Sequence, residues 1–189
     1  MSLIRIRKAD NIRGKTLRLR NASITDAAFI LSLRVNSNKA QHLSKVTGDL
    51  RDQENWLRGY EVRDGEAYFI IEDLQGTPLG TIRLYDQQDD SFCWGSWILI
   101  DGAPANAAIE SALIIYTYAL NSLGFCTAHF QVHKSNERVC KFHERFGANR
   151  MSEDYVQYSY KLENSAIQLS LDKYRRFLPD GIVIEGMSK

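Results

Sequence analysis

The stretch NERVCKFHERFGA, Asn136 to Ala148, holds the residue types best placed to do chemistry: an asparagine that opens a short amphipathic helix and a histidine near its end. Val139, Phe142 and Phe146 recur at i, i+3 and i+7, which predicts one apolar stripe. His143, four residues after Val139, falls on the border of that stripe, so a titrating ring faces the interior side of the helix. Imidazole has an unperturbed pKa of about 6.5, and small changes of environment move it between charged and neutral near pH 7. Taken alone, such a histidine reads as a satisfied, partly buried side chain more often than as a catalyst. The surrounding elements decide.

Upstream lie three strand signals: AYFIIED, then GTIRLYD after Gln75-Gly76-Thr77-Pro78, then SFCWGSWILI after Gln87 to Asp90. Short turns between them predict an antiparallel meander. Gly95, between Trp94 and Ser96, marks a bulge, a close backbone approach or relief of crowding between tryptophans. A long helix follows, with Ile109, Leu113, Tyr116, Leu120 and Leu123 at helical spacing, Pro104 suited to its first turn and Gly124 as its stop. The small residues Ala105, Asn106, Ala107 and Ala108 leave the amino-terminal N–H groups unshielded, and unpaired donors at the positive end of a helix attract phosphate. In the strand Cys126 to His133, apolar Cys126, Ala128, Phe130 and Val132 alternate with Thr127, His129, Gln131 and His133. Two histidines on one face with no third acidic or sulfur partner predict a solvent- or substrate-facing edge and no metal.

Toward the amino end, LRLRNASITDAAFILSLRVN predicts a strand at Leu17 to Arg20 and a helix capped by Ser23 or Thr25, with Ala28, Leu31 and Val35 as its core stripe. The polar stretch 37–66 carries a helix led by Asp49 to Asp52, with Trp56, Leu57 and Tyr60, and is expected to be the specificity region. After Arg150, MSEDYVQYSYKL predicts a closing strand, and NSAIQLSLDKYRRFLPDG an amphipathic helix stopped by Pro179 and Gly181. That helix either covers the sheet or meets a second subunit in a homodimer.

With 189 residues, 44% of them hydrophobic, and no Pro/Gly/Ser-rich linker, the chain is expected to form one domain, 1–189. Its 24 Lys+Arg against 23 Asp+Glu give a formal charge of +1, which argues against nucleic acid or an anionic membrane as partner and for a small soluble substrate. Arg5, Arg7, Lys8, Arg13, Lys15, Arg18 and Arg20 make the amino end locally basic and read as a solvated flank. Cys93, Cys126 and Cys140 share no CxxC spacing and are odd in number, which suits a reducing cytoplasm. MSLIRIRKAD lacks the apolar core of a signal peptide, and no run of about 18 apolar residues exists to span a bilayer.

In this order the elements resemble the GNAT superfamily of acetyl-CoA-dependent N-acetyltransferases, whose late helix reads Asn-x-x-Ser/Ala-x-x-Leu-Tyr-x-x-x-Gly-Phe. Asn136, Val139, Phe142, His143, Gly147 and Ala148 stand in those places. The resemblance spans about Leu17 to Leu162 and leaves 163–189 as a helical extension. It implies an α+β fold, an α/β/α sandwich around a mixed, mostly antiparallel sheet with splayed middle strands, and acetyl-CoA as cosubstrate. It also implies site roles. His143 replaces the tyrosine usually assigned to protonate the departing thiolate, and a histidine with a pKa near the operating pH suits a general acid. The backbone at Trp97 and Ile98 would meet the thioester carbonyl, Ala105, Asn106, Ala107 and Ala108 the pyrophosphate, and Asn136 the cofactor arm. Glu72 and Asp101 are the carboxylates available as base.

The family's cofactor loop, Gln/Arg-x-x-Gly-x-Gly/Ala, lies over Ala103, Asn106 and Ala108, so this chain lacks both the basic first residue and the glycine. YFIIED, GTIRLYD, FCWGSW and FHERFGA together look like GNAT enzymes of surface-polysaccharide and amino-sugar pathways. They imply acetylation of a primary amine of a small molecule such as a nucleotide-linked amino sugar. Two alternatives stay open: acetylation of a protein amino terminus, as in the ribosomal-protein branch that Glu110-Ser111-Ala112-Leu113 resembles, and a non-catalytic acetyl-CoA-binding module.

Overall fold

The computed structural model describes residues 4–36 and 49–187. The first part of the expected specificity region, 37–48, lies outside the described residues. Among the described residues nine strands form one sheet: β1 (Ala9–Arg13), β2 (Leu17–Asn21), β3 (Ala67–Asp73), β4 (Pro78–Gln88), β5 (Ser91–Leu99), β6 (Thr127–His133), β7 (Asn149–Glu153), β8 (Gln157–Glu163) and β9 (Val183–Met187). Their spatial order is β7-β8-β6-β5-β4-β3-β2-β1-β9. Only β5 and β6 run parallel among the paired neighbours. The helices are α1 (Ala27–Asn36), α2 (Leu50–Val62), α3 (Ala107–Thr117), α4 (Glu137–Arg145) and α5 (Asn164–Lys173).

Both faces of the sheet are covered, which is why β3 reads as an unbroken apolar run instead of alternating. Phe69 and Ile71 join the larger core with Leu113, Tyr116 and Ile167 from α3 and α5. Tyr68 and Ile70 join a smaller core with Ala27, Ile30 and Leu57 from α1 and α2. The expected α/β/α sandwich is thus present. The buried stripe of α1, however, is Ala27, Ile30 and Leu33; Ala28 is exposed and Val35 is 55% exposed, so the expected stripe is turned away from the sheet.

Two further expectations are corrected. The basic amino end is exposed at Arg5, Arg13 and Lys15 but is not a flank: Ile6, Ala9 and Ile12 are buried, and β1 is inserted between β2 and β9. Lys8 Nζ donates to the carbonyls of Tyr60 at 2.6 Å and Arg63 at 2.8 Å, so a cation closes the carboxyl end of α2. The closing strand is in fact a hairpin, β7 and β8, because Asp154 Oδ1 accepts from the amides of Val156 and Gln157 and turns the chain.

The two edges of β6 differ. All seven of its residues pair with β8, from Thr127↔Glu163 to His133↔Gln157. On the other side it meets β5 only at Ser91↔Thr127 and Phe92↔Ala128. Beyond Phe92 the two parallel strands part.

Candidate active site

The parting of β5 from β6 is prepared on β5 itself. The β4 register passes from Thr81↔Ile98 to Arg83↔Gly95, so two steps on β4 face three on β5. Ser96 carries the bulge at φ +46°, a left-handed conformation that costs a non-glycine residue about 1–3 kcal/mol. Its carbonyl is held by Thr81 Oγ1 at 2.7 Å. Gly95 serves close approach instead: a Cβ there would lie 2.8 Å from the Tyr85 hydroxyl.

Beside the free stretch of β5 lies a cavity of about 1080 Å³, lined by β5 and the loop after it, the start of α3 and one face of α4. That volume is just above the range of about 300–1,000 Å³ usual for small-molecule sites, so it has room for a large ligand. Trp97, Ile98, Ala105, Ala108 and Asn136 line it, as do Val139 and Phe142. Trp97 is fixed by a hydrogen bond from Nε1 to Ser111 Oγ at 3.2 Å and by Phe142, whose ring centroid is 4.8 Å away. Asn136 caps α4 through Oδ1, which accepts from Val139 N at 3.4 Å, and its Nδ2 donors find no partner among the described residues. At the far end of α4, Gly147 adopts φ +92° and ends the helix.

The remaining residues expected at the site lie elsewhere. Ala107 is fully buried and its amide donates to the Pro104 carbonyl at 2.9 Å, so that donor is already used. Asn106 turns its Nδ2 to Thr16 Oγ1 at 2.9 Å and Glu110 Oε2 at 3.1 Å. Buried Glu110 also accepts from the amides of Thr16 at 2.6 Å and Leu17 at 3.0 Å, which ties the start of α3 to the β1–β2 turn. Glu72 does not line the cavity. Its Oε2 accepts from Arg18 and its Oε1 from Arg20, a pair of ion bridges that occupies both oxygens. Asp101 is exposed in the turn between Ile100 and Gly102, both of which line the cavity.

His143 is 4% exposed and does not border the cavity. It packs against Phe130 at 4.0 Å and Trp94 at 5.1 Å between ring centroids, and its Nδ1 has no hydrogen-bond partner. Burial alone pushes its pKa down to about 3. The protonated fraction expected near neutrality is therefore missing, and the ring sits here as a neutral aromatic. α4 is rotated relative to the sequence expectation: Cys140, His143 and Phe146 face the core, while Val139 and Phe142 are only half-buried.

His129 Nδ1 lies 2.7 Å from Ser91 Oγ and its Nε2 3.3 Å from Asp86 Oδ2; His133 Nδ1 lies 2.7 Å from Ser135 Oγ. Among the described residues no group of three or more His, Cys, Asp or Glu could hold a metal ion. No described helix is long and apolar enough to cross a membrane. Sequence reasoning missed Arg138, Lys141 and Arg145, which also line the cavity; their i, i+3, i+7 spacing was the available signal.

No curated protein matches the chain significantly. Among solved structures, FdhC, described as a nucleotide-linked sugar GNAT, is 41% identical, with a TM-score of 0.81 over 89% of this chain and 98% of its own. A GCN5-related N-acetyltransferase from Brucella melitensis shares the fold at 16% identity and TM-score 0.74, over 90% of this chain and 86% of its own. So does the spermidine N-acetyltransferase of Vibrio cholerae, in complex with CoA and spermine, at 18% identity and TM-score 0.69 over 81% of this chain and 98% of its own. The family model for the acetyltransferase (GNAT) domain matches residues 16–149, and this assigns the chain to the GNAT acetyltransferases.

Proposed function

We propose that this chain transfers an acetyl group from acetyl-CoA to the primary amine of a nucleotide-linked amino sugar. The observation that carries the reading is the cavity opened where β5 leaves β6, in a chain 41% identical to a nucleotide-linked sugar GNAT. Acetyl-CoA supplies the acyl thioester. The residues present fit such a cosubstrate: a large cavity, an apolar wall of Trp97, Ile98 and Phe142, and the spare amide donors of Asn136. Trp97 and Phe142 exclude water, which strengthens every polar interaction in the gap. Asn136 orients the arm, and the amino end of α3 at Ala105 and Ala108 faces the pyrophosphate.

The amine must lose a proton before or during attack, and exposed Asp101 at the rim is the base we assign, acting directly or through water. His143 supports the wall and supplies no proton, because it is neutral throughout the working range. Thiol release from acetyl-CoA, measured against nucleotide-linked amino sugars, polyamines, aminoglycosides and amino-terminal peptides, tests the reading. Acceleration by the amino sugars alone is expected. Acceleration by peptides or polyamines alone, or CoA binding without turnover, would contradict it.

A further inference from the structure

The proposed cosubstrate carries its negative charge on phosphates, yet the loop that meets them in resembling chains has Ala103 here in place of a basic residue. The charge is found one helix away. Arg138, Lys141 and Arg145 fall on one face of α4, all exposed and all lining the same cavity. Among the described residues that line it, the acidic one is Glu137, whose Oε2 lies 3.2 Å from Lys141 Nζ; Asp101 stands at the rim. Arg138 and Arg145 have neither hydrogen bond nor ion pair among the described residues. Three cations on the α4 wall face Glu137 there and Asp101 at the rim, so the α4 wall itself is positive, in a chain whose whole formal charge is +1. A concave wall of positive charge concentrates anions.

Resting on the acetyl-CoA reading above, we propose that Arg138, Lys141 and Arg145 bind the phosphate groups at the nucleotide end of the cosubstrate, replacing the cation that the loop lacks. Seven residues of helix place the Arg138 and Arg145 backbones about 10 Å apart along the axis, so their guanidinium groups can reach two separate anionic positions. The row therefore suits a ligand with phosphates at two positions, as CoA has in its diphosphate and 3′-phosphate. Guanidinium groups grip phosphate oxygens in pairs, so the two arginines should carry more of the affinity than Lys141.

Calorimetric titration of the full chain with CoA, dephospho-CoA and pantetheine, for the parent and for Arg138→Gln/Arg145→Gln, tests the proposal. The double variant should lose about tenfold or more in CoA affinity, keep its pantetheine affinity, and show a flatter dependence of CoA binding on salt. A loss confined to CoA assigns the row to the 3′-phosphate, and a loss shared with dephospho-CoA assigns it to the diphosphate; both support it. CoA affinity within twofold of the parent would overturn the proposal while leaving the cavity reading intact. Parallel loss of pantetheine would mean a collapsed cavity and would overturn it as well. A parent chain that binds neither CoA nor pantetheine would sink both readings.

Discussion

The two faces of α4, taken with its carboxyl-terminal cap residue Phe146, do opposite work. Toward the core, Cys140, His143 and Phe146 are 3%, 4% and 2% exposed and pack among Trp94, Phe130 and Tyr116. Toward the cavity, Arg138, Lys141 and Arg145 stand exposed and carry charge. The difference teaches that a motif's register does not fix its chemistry. His143 stands where resembling chains have their acid, yet the rotation of the helix makes it a packing residue, and the charged side chains stand on the outer face.

The sharpest way to break this contrast is to empty the inner face. Phe146→Ala removes a ring stacked on Phe142 at 4.8 Å and Tyr174 at 5.1 Å between centroids, and should cost about 3–5 kcal/mol of stability in urea unfolding. The outer-face variant Arg138→Gln/Arg145→Gln should cost under about 0.5 kcal/mol in the same assay. Comparable losses would erase the distinction between the faces.

A finer probe is pH. The folded chain holds His143 neutral to about pH 3, whereas the unfolded chain takes up a proton near its ordinary pKa of 6.5. Below pH 6.5 the unfolded state therefore binds more protons, and stability should fall as pH drops toward 3. By pH 5 this group alone should have cost about 2 kcal/mol, and His143→Phe should abolish that share of the acid sensitivity. The same variant should keep its turnover within about twofold, with an unchanged pH–rate profile, since no general-acid step worth about 10²-fold or more is removed. A large loss of turnover, or a shifted profile, would restore His143 as a proton donor.

Much of this fold was legible in the sequence, and the reasons are local. AYFIIED, GTIRLYD and SFCWGSWILI announce strands through β-rich composition and turn residues, and the α3 helix through its spacing and Gly124. The missed pieces depend on distant partners. β1 is a short stretch among arginines that becomes a strand because β9, more than 170 residues later, pairs with it from Ala9↔Met187 onward. The site divides in the same way. Trp97, Ile98, Ala105, Ala108 and Asn136 were readable from their positions in the resembling pattern and do line the cavity. Asn106, Ala107 and Glu72 sit in the right segments, but their polar groups are taken by Thr16, Pro104, Arg18 and Arg20, partners that sequence spacing does not reveal.

The central claim is that CoA lies in the cavity between the end of β5 and the outer face of α4. Amide and indole chemical-shift mapping on the labelled chain, titrated with CoA, addresses it directly. Shifts should concentrate at Trp97 to Ile100, Ala105, Asn136 and Val139 to Phe142, including the Trp97 indole. Shifts centred on α1 and α2, with the Trp97 and Asn136 signals unmoved, would contradict it.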